Sequence, residues 1–453
     1  MAKEYRLLSV SSILGYGFPE DSLQRAMARG PDMLGVDGGS TDPGAYYLGS
    51  GELLNSEESL RRDLTLMLRA ARSARIPMVI GSCGGAGSDQ HLAATAELTR
   101  RIAREEGLHF RLATIWAGQD KDDIRKMVRA GRVHALRNVP ALTEETVARA
   151  TNIVGMMGPE PFMRALDAGA DVILAGRSTD PAPWAGCAMH AGLPPAPAWF
   201  AGKMLECGST PALPKGHDCL FMTVRPDHIE AEPTNPARRC TPFSVAIHSL
   251  HENPSPIVHE EPGGLLDTSG CRFESVTERA VKVSGMVWKP QPYSIKLEGA
   301  ELVGYRAITI CATRDPILID QIDTYPDDVR AEIDRRASGF GVPASEYKLV
   351  FHVYGRDGVM GAMEPLKDAR SHEICLVVEV VADTQKKANA VLAVARIVTP
   401  KVDFPGRLCK SGNMALPFSP SDIAVGPVYR FSVFHVLDGV DPHERFRMDI
   451  EEV

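Results

Sequence analysis

From residue 6 to residue 174 the chain alternates short apolar runs with amphipathic helical stretches, and this alternation restricts the possible folds more than any other feature. The apolar runs are Arg6 to Val10, Asp32 to Val36, Pro77 to Ile80, Arg111 to Trp116, Ile153 to Met156 and Val172 to Leu174. Their length and bounding turn residues mark them as strands. Between them, Ser56 to Arg72 places Leu60, Leu64, Met67, Leu68 and Ala71 on one helical face, and Ser88 to Glu106 forms a second long helix. Asn55 with Glu58 three residues on makes a candidate capping box for the first. Such alternation specifies an α/β fold, a mostly parallel sheet with helices on both faces, in which ligands bind beyond the carboxyl ends of strands.

The pattern changes after residue 193. Residues 193 to 240 are rich in proline and read as a crossing between domains or a long functional insertion, and the expected division is an α/β domain over residues 1–240 and an α+β domain over residues 241–453. From about Val303 the runs VGYRAITICA, Pro316 to Arg336, EYKLVFHVYG, EICLVVEVVA, Thr384 to Ile397 and VYRFSVFHVL follow in the order βαββαβ. That order is a ferredoxin-like unit.

Composition narrows the function classes. A net charge of -8, with no cluster of Lys or Arg, argues against nucleic acid and anionic membranes as main partners. No apolar stretch reaches the length of a membrane span, and the apolar part of MAKEYRLLSV is too short for a signal peptide, so a cytoplasmic location is expected. The 9 cysteines are scattered without a C-x-x-C pair, which disfavours a disulfide framework or structural zinc.

Chemistry concentrates in three strand-end loops. GSCGGAGSDQH, residues 81–91, joins a strand to a helix start, and its Gly84, Gly85 and Gly87 suit either an anion cradle or close helix packing. GGSTDPG, residues 38–44, and GRSTDPA, residues 176–182, repeat one S-T-D-P string after two different strands. In one reading the hydroxyls of Ser40, Thr41, Ser178 and Thr179 hold substrate oxygens while Asp42 and Asp180 act as acid, base or positioning groups. In the other these residues build local turns. Asp37 ends the second strand, and Arg177 supplies a clamp for a carboxylate.

Farther on, AGKMLECGST brings Lys203 and Cys207 to one helical face, where a Lys lowers a thiol pKa; a solvated Lys beside a buried Cys explains the same residues. Lys296 and Glu298 stand two apart on a strand and read as a plain exposed pair. His248 and His251 have a metal-ligand spacing, but no third ligand is evident, so no metal ligands are assigned and no cofactor is expected, although a divalent metal remains possible. Three familiar signatures fail: the loop lacks the third glycine of G-x-G-x-x-G, and neither a P-loop nor a G-x-S-x-G elbow occurs.

GSCGGAGSDQH, EEPGGLLDTSG, PYSIKLEGAELVGYR and GNMALPFSPSDIAVGPVYRFSVFHV together resemble the acyclic terpene utilisation (AtuA-like) family. The family is named for clusters that degrade citronellol-type terpenes, and similar proteins occur in other carboxylic-acid pathways. The resemblance implies an enzyme of acid catabolism and carries over no catalytic residues. Members are often encoded with a small partner domain, so a separately encoded small subunit is implied beside an expected homo-oligomer.

The leading expectation is a lyase of the hydratase or dehydratase type acting on a small carboxylic acid or its CoA thioester. Asp42, Asp180, Lys203 and Cys83 are the catalytic candidates. The alternatives are a cysteine-dependent acyl or CoA transferase or thioesterase using Cys83 or Cys207, and a non-catalytic acyl-binding subunit that needs a small partner.

Overall fold

A ten-stranded mixed sheet organises the N-terminal part of the chain in the computed structural model, which describes residues 4–453. Its parallel centre is β1 (Tyr5–Ser9), β2 (Met33–Asp37), β3 (Met78–Gly81), the strand Val172–Ala175, and β4 (Arg111–Ile115), adjacent in that order. Antiparallel strands extend it on both sides: Leu220–Val224, His228–Pro233, Val281–Ser284 and Arg272–Ser275 beyond β1, and Met448–Glu452 beyond β4.

One row of paired residues, Leu8, Leu34, Met78, Val172 and Leu112, crosses all five parallel strands and is wholly buried. This face packs on apolar residues of α1 (Glu20–Ala28), α3 (Glu57–Ala74) and α4 (Asp89–Glu106), the short α2 (Ala45–Ser50) lying between α1 and α3 in the chain. Side chains alternate along a strand, so Gly35, between Leu34 and Val36, faces the other way. There a Cβ would stand 3.2 Å from Trp184 Nε1 of the helix Ala182–His190. Helices therefore cover both faces, as the alternating pattern requires.

Local signals are obeyed with one shift. Ser88 caps α4 in a capping box with His91. The cap of α3 is Ser56, whose side chain accepts from the Ser59 N–H, and not Asn55, whose amide donates to the Leu14 carbonyl at 2.7 Å. The strand Asn152–Gly155 does not join the large sheet but pairs antiparallel with Leu297–Ala300.

The chain divides into two units. The first runs up to Glu301 and again from Phe431 to Val453; the second is Leu302–Arg430. The division expected at residues 240 and 241 falls inside the first unit, because Val281–Ser284 pairs with His228–Pro233 across it. In the second unit Tyr305–Thr313 pairs antiparallel with Ile374–Ala382, which pairs antiparallel with Tyr347–Tyr354. The two outer segments thus run the same way with a strand between them, a split βαβ arrangement whose crossover carries the helix Tyr325–Gly339. Among the described residues no helix is long and apolar enough to cross a membrane.

Candidate functional site

β2 and β3 end in register, Asp37 beside Gly81, and the three loops that follow β2, β3 and Val172–Ala175 meet. Gly38 N–H donates to the Gly81 carbonyl at 2.8 Å, Ser82 N–H to Gly176 at 3.0 Å, and Arg177 N–H to Gly87 at 2.9 Å. Gly84, Gly85 and Gly87 are all buried, with an added Cβ reaching 2.7 Å from His91, 2.8 Å from Leu54 and 2.3 Å from the Arg177 nitrogen, respectively. Packing alone accounts for these glycines.

Gly87 allows a direct test, since Gly131 shares its left-handed backbone, φ +64° against +66°, but has nothing among the described residues within 4 Å of its Cβ position. Gly131→Ala should cost about 1 kcal/mol from backbone strain alone. Gly87→Ala, which adds a clash with backbone that cannot rotate away, should cost about 3 kcal/mol or more. Urea unfolding followed by tryptophan fluorescence measures both, because Trp116, Trp184, Trp199 and Trp288 all lie in the first unit; equal shifts would contradict the close loop contact.

Arg177 is the hub of these loops. Its Nε donates to Glu298 Oε2 at 2.8 Å, and its Nη1 to Ser82 Oγ, the Ser178 carbonyl and Asp180 Oδ1 at 3.1 to 3.3 Å. Nη2 makes no hydrogen bond among the described residues. Glu298 is fully buried and takes two further contacts, from Lys296 Nζ at 2.6 Å and Thr41 Oγ1 at 3.0 Å. Burial alone would raise its pKa, but Arg177 and then Lys296 outweigh it and hold the carboxylate at about 2. Glu298 of the pair read as exposed is therefore a buried anchor that ties the two S-T-D-P loops to one strand.

Beside this anchor lie carboxyl groups shifted the opposite way. Asp37 is buried with Oδ1 unpartnered among the described residues, and its pKa is raised well above the ordinary range by burial and by the charge of Asp180, against Arg177. Asp180 is raised by burial, with Arg177 and Lys203 opposing. Glu206 and Glu261 are both pushed by burial to about 8, the first against Lys203, the second against Thr179 and Lys203.

Lys203 is buried near the end of the helix Pro195–Leu205 and donates to Glu206 Oε1 at 2.5 Å. Burial works against its charge, yet Glu206 keeps its pKa above the ordinary value. The site thus gathers two cations and four carboxyls of raised pKa beyond the carboxyl ends of parallel strands. A cleft of about 310 Å³ lined by Arg132, Leu437, Asp441 and Arg445 opens elsewhere in this unit, and none of these groups lines it.

The remaining expected residues divide. Asp42 is exposed but near enough to raise Asp180, while Ser40 Oγ accepts from the Asp42 N–H at 3.2 Å in a local turn. Ser178 and Thr179 are buried beside Ser82 and Glu261. Cys83 does not reach the site. It belongs to the apolar core under α3 and α4, with Sγ toward the Ile80 carbonyl, and burial raises its thiol pKa far above the usual value. Cys207 lies beyond the end of its helix, where burial and the carboxylates of Glu206 and Glu252 raise its pKa more than Lys203 lowers it. A thiolate nucleophile is disfavoured at both positions.

No curated protein and no solved structure matches the chain significantly. The family described as acyclic terpene utilisation family protein AtuA matches residues 54–211 and 231–406, which include the glycine loop, Arg177, Lys203, Glu261 and Glu298. With the glycine loop, the 176–182 loop and their buried anchor inside a match over most of its length, the chain belongs to the AtuA family of acyclic terpene utilisation.

Proposed function

We propose that the protein is a carbon–oxygen lyase, a hydratase or dehydratase acting on a small carboxylic acid or its CoA thioester. The observation that carries this reading is the set of carboxyls with raised pKa around Lys203 and Arg177. Elimination of water needs a base for the proton α to the carbonyl and an acid that protonates the departing hydroxyl. Asp180, near two cations, suits the base; Glu206 and Glu261, which keep protons at neutral pH, suit the acid. One proton passes from the substrate carbon to Asp180, a second from the acid to the hydroxyl, and water leaves as the double bond forms. Arg177 Nη2 and the exposed Asp42 are left to hold the substrate. Thiol chemistry has less support, since both candidate thiols are pushed up in pKa.

The test is a screen of hydroxy and unsaturated acids and their CoA thioesters for water loss or addition, followed by absorbance. For dehydration, kcat/KM should fall as pH rises through about 8, because Glu206 and Glu261 then lose the proton the leaving hydroxyl needs. A profile flat through that range would remove them as the acid.

A further inference from the structure

Next to Lys203 and Glu206 lies a second cluster that acid–base chemistry does not use. His248, near the end of the helix Pro242–Leu250, is 4 % exposed, and its Nε2 has no hydrogen-bond partner among the described residues, although the ring bonds to the main chain of Lys203. His251 is oriented by a contact of its Nδ1 with the His248 carbonyl. This leaves its Nε2 at 3.8 Å from Cys207 Sγ and 3.3 Å from Glu252 Oε2. One ligand atom each from Cys207, His248 and His251 lies within 4.8 Å of the others, and Glu206, Cys207 and Glu252 form an overlapping set.

We propose that Cys207, His248 and His251 bind a divalent thiophilic cation of the zinc class, with the Glu252 carboxylate as fourth ligand. Zinc held by one sulfur at about 2.3 Å and two nitrogens at about 2.0 Å spaces its ligand atoms roughly 3.3–3.7 Å apart, which small side-chain rotations reach from here. A ligating imidazole whose other ring nitrogen bonds the main chain is the usual supporting arrangement. The Glu252 carboxylate, held ionised by its hydrogen bond with His251, supplies negative charge beside the thiol and the two imidazoles. A bound cation would stabilise the thiolate that burial otherwise opposes. This inference does not depend on the lyase reading.

Cobalt(II) titration of the metal-stripped, full-length protein lacking any added histidine tag tests the site. One equivalent should bind, giving the visible bands of tetrahedral cobalt and a near-ultraviolet sulfur-to-cobalt charge-transfer band. Cys207→Ser should abolish the charge-transfer band, His251→Gln should weaken cobalt binding at least about tenfold, and Cys409→Ser, at an exposed thiol, should change neither. Absence of stoichiometric binding to the wild-type protein, or a charge-transfer band that survives Cys207→Ser, would overturn the proposal.

Discussion

Replacing Glu298 by glutamine should destabilise the first unit by about 3–5 kcal/mol, because the buried Arg177 and the half-buried Lys296 lose their counter-charge at once. Arg177, itself buried, keeps only Asp180 as an ionised partner, and Lys296 loses its carboxylate. Lys296→Met should cost much less: Lys296 is 26 % exposed in its side chain, and Arg177 remains on the carboxylate. The pH dependence follows from the same geometry. The folded-state pKa of Glu298 lies near 2 against an ordinary 4.5, so its stabilisation is present above the ordinary value and lost as pH falls toward 2. The Gln variant should lack that part of the acid loss. Urea midpoints by tryptophan fluorescence near neutral pH and at about pH 3, inside the window where the wild type loses this stabilisation, provide the comparison, and equal stabilities of variant and wild type at neutral pH would show that the anchor contributes nothing.

What the sequence discloses about the fold is mostly local. Six apolar runs become six strands within a residue or two of their expected ends, and Ser88 starts α4 where its cap predicts. The destination of a strand is less legible. Ile153 to Met156 looks like its neighbours in composition, yet its partner is Leu297–Ala300, more than a hundred residues on, and nothing near it announces that pairing. The expected boundary near residue 240 fails for a related reason: prolines mark where regular elements stop, not where a sheet ends.

In the candidate site, the repeated S-T-D-P string and the glycine loop point to one sheet edge, and the three loops meet there because short strand-to-helix turns in a parallel sheet emerge together. Asp180 and Arg177 were readable from that argument. Glu298 was not, since a Lys and a Glu two apart on a strand carry no sign of burial; the signal is relational, a carboxylate facing Arg177 across 121 positions. Glu261 is hidden in the same way inside a glycine turn. The glycine neighbours of Cys83 suggest access, whereas its side chain belongs to the core packed by α1, α3 and α4.

Solvent deuterium exchange at the carbon α to the carboxyl or thioester, followed by proton NMR, tests the proposed chemistry most directly because it reports base action before water is lost. The wild-type protein should exchange that proton in at least one member of a panel of small hydroxy acids and their CoA thioesters. Asp180→Asn, folded as judged by its unfolding transition, should exchange at least about 10²-fold more slowly. Exchange by Asp180→Asn at the wild-type rate, or none by the wild-type protein across acids and thioesters alike, would contradict an acid–base site at this sheet edge.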